Sequence, residues 1–400
     1  MRKFESLQEE ILHRVKKGYK KQVTWRRRLH QYPELSFEEY KTTAFLKNEI
    51  KKLGFKILPI KLPTGLIAEI SGCRPGATVA IRTDIDALPV LEKTGLPFKS
   101  RTVGRMHACG HDMHMAAVLG TGAVIAAMKD KFPGHVRLLF QPAEEMPPGG
   151  AKPMIDEGAL KDVSMVLGLH VDPEIPTGEI SLRDGITMAS VYDFDIIVTG
   201  QGGHAARPHQ VVDALATAAE ILESLQKIVS REIDPIAPVA ISFGKITGGT
   251  ARNTIAEEVR IWGTARTLSA ENFKKVPTLI KRTVRGICLA RGAVGRVEPI
   301  ASFPPLKNSP VVNKLLAKNY RRLFPDNKIS ETEMVLGGED FAYYLKKVPG
   351  AMFRLGIRND RLGANRPWHS PNFIADENAL IYATSLLTAA TMDFLNQQKK

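Results

Sequence analysis

Nine residues, Met106–His114 (MHACGHDMH), hold three histidines, a cysteine and an aspartate, in a chain with ten histidines and three cysteines in all. Cys109 and His111 are separated by a single glycine. On a loop entering a helix, this spacing lets a thiolate and an imidazole reach one ion. That donor pair suits zinc and other borderline divalent metals. Competing readings exist. Asp112 either orients an imidazole or caps the helix. Cys109 is a ligand, a core filler or the nucleophile of a thiol hydrolase.

Other residues of the same chemical type follow strand-like runs. Glu144 and Glu145 (QPAEEMPPGG) are adjacent carboxylates, whose mutual repulsion calls for a cation or a raised pKa. A metal ligand beside a general base explains the pair, although spacing leaves open which is which. His170 (GLHVD) alone would read as a core histidine; beside the other clusters it becomes a candidate ligand. His369 (PWHSPNF) sits in a Pro-rich loop after MFRLGIR. Asp84 and Asp86 (RTDIDALP) share a face if the strand continues, and support ligands, bind metal or form a turn. Farther along, GQGGHAARPH (Gly200–His209) offers His204 and Arg207 among glycines. Gly248–Asn253 (GGTARN) and Arg266 are candidate anion-binding groups, and Gly337–Asp340 (GGED) reads as a turn leading into a helix.

The elements that must position these residues are legible in outline. Ser36–Leu53 has helical composition, with Ser36 as N-cap, Glu39 at capping-box spacing and Gly54 as the stop. Short apolar runs at Leu66–Ile70, Thr78–Ile81, Val136–Phe140 and Val163–Leu169 alternate with helical patterns such as His114–Met128. This predicts a largely parallel sheet with helices on both faces. In such sheets ligands bind beyond the carboxyl ends of strands, which would gather Asp84, Asp86, Glu144, Glu145 and His170 along one rim. From about Gly185 to Ile300 the order becomes βαββαβ, the ferredoxin-like pattern. The expected division is therefore a catalytic part, residues 1–184 and 301–400, interrupted by an insert, residues 185–300.

Composition narrows the class. At 400 residues, with 44% apolar and 24% charged residues, the chain has ordinary globular composition. Three cysteines, Cys73, Cys109 and Cys288, argue against a disulfide framework and for a reducing compartment. The longest apolar run, Met115–Met128, is too short to span a bilayer, and the first residues lack an apolar signal core. A cytoplasmic protein without a membrane partner is expected. The net charge is +14. Residues 1–30 carry ten Lys/Arg against three Asp/Glu, interspersed with Ile11, Val15 and Trp25 as on the wet face of a helix. A nucleic-acid partner is not expected.

Taken in order, RRLHQYPELSFEE, RTDIDALP, MHACGHDMH, QPAEE, GLHVD, GGHAARPH, RNTIAEEVRIWGTAR, LGGEDFAYYL and WHSPNF resemble the aminoacylase/carboxypeptidase group of dinuclear metallopeptidases. The similarity is greatest to its amidohydrolase branch of hippurate hydrolases, auxin-conjugate hydrolases and N-acetyldiaminopimelate deacetylases, and runs from about Trp25 to Phe373. The wider family has a His where this chain has Asp84 or Arg82, and a bridging Asp where it has Cys109; both departures belong to that branch. The resemblance implies a zinc-peptidase-like α/β catalytic domain, its mixed sheet flanked by helices, and an inserted ferredoxin-like α+β lid that also dimerises. It implies two divalent metal ions per subunit (zinc, manganese, cobalt or nickel) on Cys109, His111, Glu145, His170 and His369. It implies Glu144 as general base, Asp86 as support for the metals and His204 as a lid histidine that in related enzymes reaches the partner subunit's site. Asn253 and Arg266 match lid positions near the substrate carboxylate. The implied activity is hydrolysis of N-acyl-L-amino acids by a homodimer or homotetramer. The alternatives are carboxypeptidase action on short or N-blocked peptides and deacetylation of N-acetyldiaminopimelate.

Overall fold

The computed structural model describes residues 5–331 and 333–397. In chain order, the first unit opens with helices α1 (Leu7–Gln31) and α2 (Tyr40–Lys52) and strands β1 (Lys56–Leu58), β2 (Leu66–Ser71) and β3 (Thr78–Asp84). Helix α3 (His111–Ala127) and strands β4 (His135–Gln141), β5 (Val163–Pro176) and β6 (Ile180–Leu182) follow. A second unit then contributes β7 (Ser190–Thr199), α4 (Ala214–Arg231), β8 (Val239–Gly248), β9 (Glu258–Thr267), α5 (Ala270–Arg291) and β10 (Val294–Phe303). The chain returns to the first unit with α6 (Pro310–Leu323), β11 (Ile329–Glu331), β12 (Gly350–Arg358) and α7 (Ala379–Gln397). Contacts assign Ile186–Leu306 together with Met334–Ala342 to the second unit and the remainder to the first.

The first unit is built on an eight-stranded sheet in the order β1-β2-β4-β3-β5-β12-β6-β11. Its centre, β4-β3-β5-β12, is parallel. The pairs β1–β2, β2–β4 and β12–β6 are antiparallel, so the sheet is mixed rather than largely parallel. Every residue of β3 is buried, as expected for a central strand covered on both faces. Strand β3 ends at Asp84 and its parallel neighbour β4 at Gln141, whereas β5 continues past His170 to Pro176. The run read as Val163–Leu169 is therefore longer, because β12 keeps pairing with β5 after β3 has stopped. His170 lies within a strand, beside the end of β3 and paired with Arg354 of β12.

Helices α1, α3 and α7 pack on one another. Helix α3 is buried nearly all round, the signature of a helix enclosed by other elements. Gly120 on α3 lets α1 approach, since a Cβ there would lie 2.5 Å from Cδ of Gln22. Gln22 Oε1 in turn accepts a hydrogen bond of 2.8 Å from the Thr384 hydroxyl on α7. The basic stretch on α1 is not all wet: Arg26 is 1% exposed, and its Nε donates to Asp112 Oδ2 at 2.7 Å.

Helix α2 departs from its expected start. It begins at Tyr40, and its first amides are taken by a more distant carboxylate: Glu34 accepts from Thr42 N–H at 2.7 Å and from Lys41 N–H at 3.2 Å. Ser36, the expected cap, donates its hydroxyl to Asp86 Oδ2 at 2.7 Å.

In the second unit the four strands run in the order β8-β9-β7-β10 with all neighbours antiparallel. This is a βαββαβ α+β layer of ferredoxin-like type. Phe194, Ile196 and Ile261 of the sheet bury against Ile221 and Leu225 of α4 and Ile280 and Val284 of α5. Among the described residues no helix is long and apolar enough to cross a membrane.

The Gly120→Ala variant should displace the Gln22 amide, break its bond to Thr384 and cost about 1–3 kcal/mol. Denaturant unfolding would show it as a lower midpoint with an unchanged slope; an unchanged midpoint would mean that the three helices have slack at this crossing.

Candidate metal centre

The first unit brings Cys109, His111, Glu145, His170 and His369 into one cluster at the carboxyl ends of β3 and β4. Backbone geometry places the first two. Gly110 adopts φ +89°, and a Cβ there would come 2.4 Å from Val171 Cγ2. Only glycine satisfies both conditions, which is why one glycine separates thiol and imidazole. His111 then opens α3. His369 has φ +64° and is held by its own N–H, which donates to Ala108 O at 2.9 Å.

The donor atoms face one another. Cys109 Sγ lies 3.5 Å from His170 Nε2. Glu145 Oε1 lies 3.7 Å from both His111 Nε2 and His369 Nε2. Donors about 2.0–2.3 Å from one tetrahedral ion are separated by roughly 3.3–3.8 Å, so these spacings fit shared cations. Two sets of potential ligands, Cys109–His111–His170 and Cys109–Glu145–His369, have their donor atoms within 4.8 Å of one another and share the cysteine. Glu144 joins His111 and Glu145 in a third set of this kind. His111 Nε2 and Glu145 Oε1 are buried without a hydrogen-bond partner, a costly arrangement unless an ion or water fills the gap.

The surrounding hydrogen bonds assign the tautomers. His170 Nδ1 donates to Val171 O at 2.8 Å, leaving Nε2 as the free lone pair. Val171 O also accepts from Trp368 Nε1 at 3.0 Å. Val171 N–H donates to His114 Nε2 at 2.9 Å, so the His114 proton is on Nδ1, which donates to Asp84 Oδ1 at 2.7 Å. Arg82 Nη1 donates to Asp84 Oδ2 at 2.9 Å. Both nitrogens of His114 are thereby committed, and the third histidine of the motif is no ligand. Asp84 anchors it. Asp86 supports the site by another route: its backbone carbonyl accepts from His111 Nδ1 at 2.9 Å, and its Oδ2 accepts from Glu145 N–H at 3.0 Å.

Charge is unbalanced here. Burial opposes the charged form of His111, but Asp84, Asp86 and Glu145 outweigh it and push the imidazole up to about 10. Burial, together with Asp86 and Asp84, pushes Glu145 up to about 7 despite His111. Burial raises the Cys109 thiol well above its usual value, and Glu145, Glu144 and Asp84 add to it. Burial, Arg354 and His114 hold His170 well below the usual histidine range, keeping it neutral as ligation requires. A buried thiol raised in this way is a poor nucleophile, which argues against the thiol-hydrolase reading of Cys109. The same donors around a divalent ion deprotonate readily.

The second unit holds the remaining candidates. His204 is exposed, its Nδ1 accepts from Ala206 N–H at 3.1 Å, and it pairs with Thr254 across a short ladder. Asn253 lies next to it, its carbonyl accepting from Ala205 N–H at 3.1 Å. The loops Gly200–His209 and Gly248–Asn253 thus meet. Arg266 lies on β9 with Nη2 3.5 Å from Asp193 Oδ1, so it already has an anionic neighbour. Trp368 and Arg354 are marked by no motif: Trp368 adjoins the candidate ligand His369, and Arg354 comes beside His170 only through strand register. Arg82, set against a histidine position of the wider family, bonds Asp84 instead.

A family described as peptidase family M20/M25/M40 matches residues 80–393. A thermostable carboxypeptidase of Saccharolobus solfataricus is 41% identical over 89% of this chain and 90% of its own. An N-acetyl-L-cysteine deacetylase of Bacillus subtilis is 40% identical over 94% of this chain and 88% of its own. A solved Bacillus subtilis structure, described as a dinuclear metal-binding peptidase from the M20 family, superposes with a TM-score of 0.81 at 34% identity. It covers 95% of this chain and 99% of its own.

Iodoacetamide at neutral pH should label the exposed Cys73 and leave the buried Cys109 and Cys288 unmodified in metal-free protein, read by peptide mass spectrometry. Preferential labelling of Cys109 would restore the thiol nucleophile.

Proposed function

The chain belongs to peptidase family M20/M25/M40, and from that membership we propose that it hydrolyses the amide bond of N-acyl-L-amino acids with two divalent ions per subunit. The observation that carries the reading is the sharing of Cys109 between two ligand sets, one with His111 and His170, the other with Glu145 and His369. Thiolate, imidazole and carboxylate together suit zinc, manganese, cobalt or nickel. The curated relatives favour amide hydrolysis, since their names are those of a carboxypeptidase and a deacetylase. The carboxypeptidase name also supports a second reading, removal of a C-terminal residue from short or N-blocked peptides. A third, deacetylation of N-acetyldiaminopimelate, rests on a 37% identical Bacillus cytotoxicus relative of that name.

When bound, the ions supply Lewis acidity at the scissile carbonyl and acidify a water. The chain does the rest. Glu144, next to the ligand Glu145, takes the proton from the attacking water and returns it to the leaving amine. Asp86 fixes the ring of His111 through its backbone carbonyl and fixes Glu145 through that residue's N–H. His204, assigned by family resemblance, donates to the developing oxyanion, and Asn253 and Arg266 hold the substrate carboxylate. Arg266 would do so at the expense of its contact with Asp193. The same reading makes the enzyme a cytoplasmic homodimer or homotetramer, in keeping with three unpaired cysteines.

Amine release from a panel of N-acetyl, N-benzoyl and N-acyl-dipeptide substrates, with manganese, cobalt or zinc, should be abolished by a chelator and restored by added metal. Release indifferent to chelation would overturn the reading. Glu144→Gln should lower kcat by about 10²–10⁴ with metal content retained; loss of metal would exchange the roles of the two glutamates. His204→Ala should lower kcat by about 10²–10³ and leave KM nearly unchanged, whereas a rise in KM alone would make it a binding residue.

A further inference from the structure

The segment Glu34–Glu39 lies against the metal centre but supplies no ligand. Ala87 N–H donates to Glu34 O at 2.8 Å, and Leu35 pairs with Ala87, so the segment is strapped along the residue after Asp86. The Ser36 hydroxyl donates to Asp86 Oδ2. Glu39, which is fully buried, makes no side-chain cap bond to its own helix, and Oε1 accepts from Ala143 N–H at 2.8 Å. Ala143 immediately precedes Glu144 and Glu145, is itself fully buried, and has φ +50°. An alanine in the left-handed region is held there only by its surroundings. Two fixed points bracket Glu144: Ala143 N–H on Glu39, and Glu145 N–H on Asp86 at 3.0 Å.

We propose that Glu39 is a positioning residue for the reaction: its carboxylate clamps Ala143 in the left-handed conformation that aims Glu144 at the water beside the metal ligands. The inference rests on Glu144 being the general base. It explains why Ser36 and Glu39, spaced like a helix-capping pair, leave capping to Glu34: both are used by the catalytic turn. A general base must lie within hydrogen-bond reach of the proton that it takes, and misplacement by about 1 Å costs on the order of 10²-fold in rate. Because Glu39 holds the base and not a ligand, its loss should spare metal and substrate binding.

The test uses the full-length metal-loaded enzyme and a substrate that it turns over. Glu39→Ala should lower kcat about 10–100-fold, leave KM within about twofold, and leave metal content by atomic emission unchanged. Glu39→Gln keeps a carbonyl oxygen for Ala143 N–H and should recover most of the lost turnover. If Glu39→Ala does not fold by thermal melting, Glu39→Asp serves instead, since it withdraws the carboxylate by one methylene and should show the same kcat-selective loss. A kcat within twofold of the parent, an effect confined to KM, parallel loss of metal, or no recovery with Gln would each overturn the proposal. Glu144→Gln, run alongside, separates the two readings. If it stays active, the general-base assignment fails. If it is inactive while Glu39→Ala is not, only the positioning role fails.

Discussion

The fold's central constraint is electrostatic. Parallel strands of unequal length leave an open rim, and the chain places Asp84, Asp86, Glu144, Glu145 and a thiol there with few cations of its own. Arg82 neutralises Asp84, and a protonated His111 lies among the remaining anions. Interactions between such charges are far stronger in a buried site than in water, so the arrangement is stable only with positive charge at the centre. Protons on His111 and Cys109 serve when no metal is bound, and divalent ions on the proposed ligands would replace them. Metal uptake is therefore coupled to proton release, and acid competes with metal for the same atoms.

Much of this was legible from residue types and spacing. Cys109-Gly110-His111 stood out as a pair of candidate ligands by its spacing, and its glycine has to be a glycine, for both its φ and its proximity to Val171. The carboxylate pair was visible because adjacent glutamates after an apolar run have few structural uses. What escaped is what depends on non-local partners. Three histidines in nine residues do not say which are ligands. His114 is withdrawn from ligation by a strand amide and an aspartate distant in sequence, Val171 N–H and Asp84. The length of β5 depended on β12, far along the chain. Arg26 looked like one more surface cation until α3 presented Asp112 to it.

The failure at α2 is of another kind. Ser36 and Glu39 have the spacing of a capping box, and the helix nonetheless starts one residue after Glu39. Where sequence-level rules fail in a well-packed protein, a functional demand is the usual reason. Here both side chains serve the loops around the metal centre, and Glu34 supplies the helix cap from outside.

The backbone of a single residue, Val171, also links several parts of the site. The Val171 carbonyl accepts hydrogen bonds from His170 and from Trp368, the residue before His369, and its N–H donates to His114. One candidate ligand, His170, and the neighbour of another, His369, thus share one oxygen atom. Displacement of the loop at residues 368–369 therefore reaches the carbonyl that also fixes the His170 lone pair. Thermal disassembly of the metal centre should then be cooperative, with both ligand sets lost together and no long-lived form that keeps one ion while the other escapes.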